Sequence, residues 1–191
     1  MATSTHATHD THSTTAGSGW STRRIAVTAL FCALSLITSF IEIPIFPPAP
    51  WLEYDPSCVV ALVAGLAFGP ATGTIVVVFS WLVHLVFQFS PWGVLMAIAA
   101  NVSLVVPCSL IARKVSGRRG LACGMGVGAA VSLVVCIVMN LFVTPLYTAV
   151  TMEAVVAMIL PILLPFNLLK LVLNCALTAL VQGPVSKALA E

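Results

Sequence analysis

AVVAMILPILLPFNLLKLVLNCALTALV, residues 154–181, is the stretch on which the fold turns. About 20 consecutive apolar residues cross a bilayer as a helix, and this run of 28 contains a single charge, Lys170. A lysine at the centre of a membrane helix costs about 2.5 to 3.5 kcal/mol on insertion scales, so it marks a functional position. At about 100° per residue, Asn167, Lys170, Asn174 and Thr178 share an arc of roughly 80°. They form a polar stripe that must face the interior of a helix bundle. Pro161 and Pro165 lie just before the stripe. In a first helical turn they would be free of cost, and deeper in the helix they would release backbone carbonyls to bind something.

Outward from this segment the chain keeps the same character. Of its 191 residues 60% are hydrophobic and 7% charged, against roughly a quarter charged in a soluble domain. Further apolar runs lie at 25–43, 57–68, 71–89, 93–112 and 120–146, which with the last stretch makes six candidate spans. The second is short and closes at Gly69-Pro70. Six spans leave no room for a soluble catalytic domain, and a formal charge of +2 gives no footprint for nucleic acid. Residues 1–22, rich in Thr and Ser, read as a disordered cytoplasmic tail, and residues 23–191 as the membrane domain. His6, His9 and His12 in that tail are read as solvated and not as metal ligands. Cys32, Cys58, Cys108, Cys123, Cys136 and Cys175 are scattered singly and read as small buried hydrophobes.

Lys and Arg concentrate in short cytoplasmic loops. Six spans place Arg23 and Arg24, the cluster Arg113, Lys114, Arg118 and Arg119, and Lys187 all on one side, with both termini cytoplasmic. Counting 57–89 as one broken span would put the central cluster outside. The chain is therefore expected to be an all-α, multi-pass cell-membrane protein with six transmembrane helices.

Other polar residues fall inside the spans. The fifth repeats small or polar residues every four positions: Gly120, Gly124, Gly128, Ser132, Cys136, Asn140 and Thr144. Each step drifts about 40°, so the row is expected to wrap around the helix. Its G-x-x-x-G part reads as a packing surface, and Asn140 and Thr144, near the outer end, as ligand candidates. His84 stands alone among the spans and reads as an interhelical hydrogen-bonding group, with no metal site. The loop Pro44-Ile-Phe-Pro-Pro-Ala-Pro-Trp51-Leu-Glu-Tyr54-Asp55 fits either an interfacial anchor or a lid over a cavity. The chain carries no phosphate-binding loop G-x-x-x-x-G-K-[ST], no H-E-x-x-H and no G-x-S-x-G. It is expected to be no enzyme and to have no ATPase of its own.

Several of these residues occur in an order that resembles a known family. They are Pro50-Trp-Leu-Glu-Tyr-Asp-Pro-Ser57, then Phe68-Gly69-Pro70, Gly73 and Pro91-x-Gly93. Asn140-x-x-x-Thr144-Pro145-x-Tyr147 follows, and most specifically Leu164-Pro165-Phe166-Asn167-Leu168-Leu169-Lys170. The chain resembles the S-components of energy-coupling factor vitamin transporters, most of all the riboflavin-specific ones, over nearly the whole membrane part.

The resemblance implies a six-helix substrate-capture subunit with its vitamin site near the extracellular side, under a lid formed by the loop between helices 1 and 2. It implies that Asn140, Asn167 and Lys170 hydrogen-bond the ligand, with Thr144 beside them and Leu52 and Tyr54 of the lid as walls. It also implies an Ala-x-x-x-Ala surface, here Ala29 and Ala33, that docks a transmembrane coupling subunit working with two ATPase subunits. Riboflavin would be transported cargo and not a cofactor. The chain departs from the riboflavin pattern after Asp55, where a second acid and a later proline are missing. It departs again at Ser80-Trp81, in place of a Lys-Asn pair, and at Ala97. These departures leave open a different vitamin or a related heteroaromatic compound on the same scaffold.

Overall fold

A run of twelve residues, Ser57–Phe68 (α2), ends at Gly69, whose φ of 104° is a conformation that residues with a Cβ rarely adopt. Pro70 then opens α3 (Pro70–Phe87) at a first-turn position where its missing N–H costs nothing. The two helices fold back on each other: a Cβ on Gly73 would lie 2.9 Å from the Gly65 Cα and 3.1 Å from the Ala61 carbonyl oxygen. Segment 57–89 is thus a hairpin and not a broken span.

The computed structural model describes residues 20–190 apart from Phe46, Pro48 and Ser116. The other helices are α1 (Thr22–Ser39), α4 (Pro91–Lys114), α5 (Gly117–Tyr147), α6 (Met152–Met158) and α7 (Leu164–Ala190), with a π-helical turn at Ile159–Leu163 joining α6 to α7. Ser21 caps α1 by accepting from the Arg24 N–H at 3.2 Å, so the first helix begins one residue inside the segment read as tail. The histidines at 6, 9 and 12 lie outside the described residues.

α6, the π turn and α7 run on as one rod over Met152–Leu189. Both prolines are therefore inside a continuous helix. Neither Pro161 nor Pro165 donates a backbone N–H, and the ladder adjusts by a five-residue step in which the Leu164 N–H bonds the Ile159 carbonyl. Counting this rod once, the described residues form six helices. Five of them are long and apolar enough to cross a membrane. The sixth, α2, rises only about 18 Å, too short for a full span. It sits in the middle of the bundle against α1, α3, α4 and α7. A helix apolar on all sides is stable in such a place, and Cys58, Leu62 and Ala64 are fully buried.

One end of the bundle collects the basic residues. Arg24 donates to the Phe68 carbonyl at 3.0 Å, an orphan acceptor at the end of α2, and to Thr72 Oγ1 at 2.8 Å. Arg23 donates to the Leu189 carbonyl at 3.0 Å, and the Arg113 guanidinium packs on Gly69. The start of α1, the α2–α3 and α4–α5 turns and the end of α7 thus share one face, cytoplasmic by the distribution of positive charge.

At the opposite end the α1–α2 loop forms a two-residue ladder, Ile43–Pro44 (β1) against Glu53–Tyr54 (β2), antiparallel. Ala49 and Leu52 of this loop are buried in a small core with Val155, Leu163 and Phe166. It is therefore a lid, seated on α6, the π turn and α7.

The small-residue row of α5 winds as expected and stays buried throughout. Gly120, Gly124, Gly128, Ser132, Cys136, Asn140 and Thr144 are all buried. The drift is absorbed because the row changes partner as it winds. Gly124 and Gly128 meet the Cys108 and Leu104 carbonyls of α4, Ser132 donates to the Ala100 carbonyl at 2.8 Å, and Cys136 and Asn140 reach a cavity.

Candidate functional site

Lys170 lies inside the bundle, and a buried ammonium needs a partner. That partner is Asp55, 115 positions earlier, whose Oδ2 is 2.9 Å from Lys170 Nζ. The Ser57 N–H and hydroxyl both donate to the other carboxylate oxygen, Oδ1. Asp55 thereby spends one oxygen on the first turn of α2 and the other on α7. The charge-assisted bond ties the inner end of the lid to the helix that carries the polar stripe.

Above this pair is a cavity of about 260 Å³, close to the lower end of the range for small-molecule sites, roughly 300 Å³. Its walls come from four helices and the lid. α7 contributes Phe166, Asn167 and Lys170. α5 contributes Cys136, Met139, Asn140 and Tyr147; α4 contributes Gly93, Val94, Met96, Ala97 and Ala100; α3 contributes Trp81, His84 and Gln88. From the lid segment come Glu42, Trp51, Leu52, Glu53 and Asp55. Each asparagine is aimed by a bond one turn back along its own helix. Asn140 Nδ2 donates to the Cys136 carbonyl and Asn167 Nδ2 to the Leu163 carbonyl, both at 2.8 Å. Each amide keeps a second N–H and acceptor capacity for a ligand.

Four of the expected site residues, Asn140, Asn167, Lys170 and Leu52, line this cavity. Thr144 and Tyr54 do not. The Thr144 hydroxyl donates to Asn140 Oδ1 at 3.1 Å and holds that amide in place. The Tyr54 hydroxyl donates to Asn174 Oδ1 at 3.3 Å, deeper along the stripe, where it pins β2 to α7. Asn167, Asn174 and Thr178 are buried, as expected of a stripe that faces inward. Ala29 and Ala33 are exposed on the outer surface of α1, away from the cavity.

The outer rim is acidic. Glu42 Oε1 lies 3.6 Å from His84 Nε2. On its other side His84 shares a 2.8 Å hydrogen bond between Nδ1 and Ser39 Oγ, and its ring stacks on Phe40 at 4.7 Å. His84 is thus an interhelical bonding group that also lines the cavity. Burial raises the Glu42 carboxyl above the usual carboxylate range, and the Asp55 charge adds to this. Burial and then the Glu42 charge do the same to Glu53.

Sequence reasoning left out Asp55 as the lysine's partner, the two rim glutamates, and Trp51 and Trp81 as walls. For Asp55 there was half a signal: a buried lysine requires a counter-charge, but Glu42, Glu53 and Asp55 offered one alike. For Trp81 the only signal was its place in the Ser80-Trp81 departure from the family pattern, since an aromatic in an apolar span otherwise reads as ordinary core.

The family model described as "ECF transporter, substrate-specific component" matches residues 23–182. The chain is 28% identical over 155 residues to the riboflavin transporter RibU of Staphylococcus aureus (strain TCH60), covering 78% of this chain and 82% of that protein. It is 25% identical over 160 residues to the riboflavin transporter FmnP of Bacillus subtilis (strain 168), covering 78% and 84%. A solved structure described as "Structure and mechanism of the S component of a bacterial ECF transporter" superposes with a TM-score of 0.77 at 25% identity, over 88% of this chain and 98% of that one. A six-helix bundle whose lid roofs a polar-lined cavity, matched by the family model along most of its length, belongs to the substrate-specific components of ECF transporters.

Proposed function

We propose that this subunit captures riboflavin from the extracellular side and delivers it inward as part of an ATP-driven importer. The observation that carries this reading is the cavity under the lid, where Asn140, Asn167 and Lys170 converge from α5 and α7 between apolar and aromatic walls. Amides and an ammonium suit the carbonyl edge of a flavin or the hydroxyls of its side chain, and the walls suit its rings. The two riboflavin transporters similar to this chain support the choice of ligand. The subunit performs no chemistry itself. Two ATPase subunits and a transmembrane coupling subunit supply the energy, with the coupling subunit docking on α1 at Ala29 and Ala33, where small exposed side chains let a helix approach closely.

The test is the absorption spectrum of the detergent-purified chain from cells that make riboflavin, with a flavin titration by fluorescence quenching. A yellow protein that quenches flavin fluorescence is expected. Asn167→Ala should weaken binding by about 10- to 100-fold, the effect of losing one buried hydrogen-bonding group. A colourless protein that leaves flavin fluorescence unchanged would overturn riboflavin as the ligand and point to another vitamin or heteroaromatic compound on the same scaffold.

A further inference from the structure

Deeper in the bundle than the ligand cavity lies a second, much smaller one of about 10 Å³. The two share Ala100, Cys136, Asn167 and Lys170 as a common wall. On its far side the small cavity is lined by Asn101 of α4, Ser132 of α5 and Asn174 of α7. Asn101 is 2% exposed, and its Nδ2 has no hydrogen-bond partner among the described residues. An amide N–H without an acceptor is costly inside a bundle, and the cost is removed by a group that brings a lone pair.

The size and chemistry of the lining suit a single water, which needs about this volume and about two to four polar partners. Asn101 Nδ2 is one donor to it. The Lys170 ammonium is another: it has three N–H bonds, and the one to Asp55 Oδ2 leaves others to spend. The water's own hydrogens find acceptors in Asn174 Oδ1, which also takes the Tyr54 hydroxyl and has a second lone pair, and in Ser132 Oγ, whose hydrogen goes to the Ala100 carbonyl. An ammonium in the wall repels a metal cation, and the space is too small for a carboxylate or a phosphate.

Resting on the reading of the larger cavity as a flavin site, we propose that the small cavity binds one water, through which Asn101 holds the Lys170 ammonium towards the flavin. A lysine is a point charge on a flexible four-carbon stem, so a single bond to Asp55 leaves its direction loose. A second fixed partner on the opposite side from the ligand sets it. Asn101 lies outside the wall of the ligand cavity and is a positioning residue, acting through Lys170.

The experiment has two arms. The first is a structure of the full-length chain with riboflavin, at a resolution that shows ordered water. A peak about 2.7 to 3.2 Å from both Asn101 Nδ2 and Lys170 Nζ is expected, and its absence overturns the proposal whether or not any variant folds. The second is riboflavin titration of variants. Asn101→Leu fills the small cavity with methyl groups and should weaken binding about tenfold. Asn101→Ala leaves room for a further water in place of the amide and should stay within about threefold of the unmodified chain. Added to Lys170→Met/Asp55→Asn, where no ammonium is left to hold, Asn101→Leu should cost less than about threefold, whereas a distorted core would weaken binding equally in both backgrounds. Equal losses in the two backgrounds, or a greater loss from Asn101→Ala than from Asn101→Leu, make Asn101 a packing residue and overturn the proposal. A chain that binds no riboflavin overturns the flavin reading, and the positioning role with it; a structure of the chain alone then decides the water site.

Discussion

Lys170 and Asp55 show how far one residue's meaning depends on another. The lysine stood out in the sequence because a charge in an apolar helix is expensive. Its counter-ion, 115 residues away, could not be picked from Glu42, Glu53 and Asp55 without the fold, since all three occur in the same loop. The pair changes what a substitution at Lys170 would mean. Lys170→Met removes the donor proposed for the ligand and also strands a carboxylate that is 3% exposed. Stranding one partner of a buried pair costs about 3 to 5 kcal/mol, so this variant should melt well below the unmodified protein. Adding Asp55→Asn removes the stranded charge, and the double variant should recover most of the lost thermal stability without regaining riboflavin affinity. Melting curves in detergent beside a flavin titration separate the two effects. A double variant as unstable as the single one would mean that Lys170 supports the fold through contacts other than Asp55.

At the scale of elements, the spans were legible because apolar length is a strong signal, and the ends of α2 came from Gly69-Pro70. The π turn was not legible beyond the presence of two prolines, since whether Pro161 and Pro165 begin a helix or interrupt one depends on what precedes them in space. The α5 row was half legible: its glycines announced a packing face, but burial all the way to Thr144 required knowing that α4 gives way to the cavity. The glycines at 124, 126 and 128 allow a controlled test within a single turn. A Cβ at Gly124 would lie 2.6 Å from the Cys108 carbonyl oxygen, and one at Gly128 2.8 Å from that of Leu104, whereas one at Gly126 meets nothing within 4 Å. Gly124→Ala and Gly128→Ala push backbone against backbone, an overpacking typically worth about 1 to 3 kcal/mol. Gly126→Ala should be neutral, or stabilising by up to about 1 kcal/mol through helix propensity. Thermal melts of the three variants check the order, and equal melting temperatures would refute close α4–α5 contact as the role of the row.

For the whole molecule, the orientation follows from where the turns fall. Arg23, Arg24 and Arg113 meet at one end through Leu189, Phe68 and Gly69, and the lid and the α3–α4 turn occupy the other. This agrees with the six-helix topology read from charge alone, although α2 is too short to span. Topology is preserved because a short helix that reverses direction inside the bundle changes sides as effectively as a long one, provided the lid descends to meet it. Asp55, buried at the junction of lid and α2, is where that descent ends. The arrangement predicts opposite exposure for two positions. In a chain whose own six cysteines are replaced by alanine, Ser90→Cys, in the exposed α3–α4 turn, should react with a membrane-impermeant maleimide on intact cells. Lys187→Cys, near the end of α7, should react only after the membrane is opened. Labelling of both from outside would require an even number of crossings between them, against the three of the six-helix topology, and break that topology. The reverse pattern would invert the molecule, placing the cavity and its lid on the cytoplasmic side, where they could not serve uptake from outside.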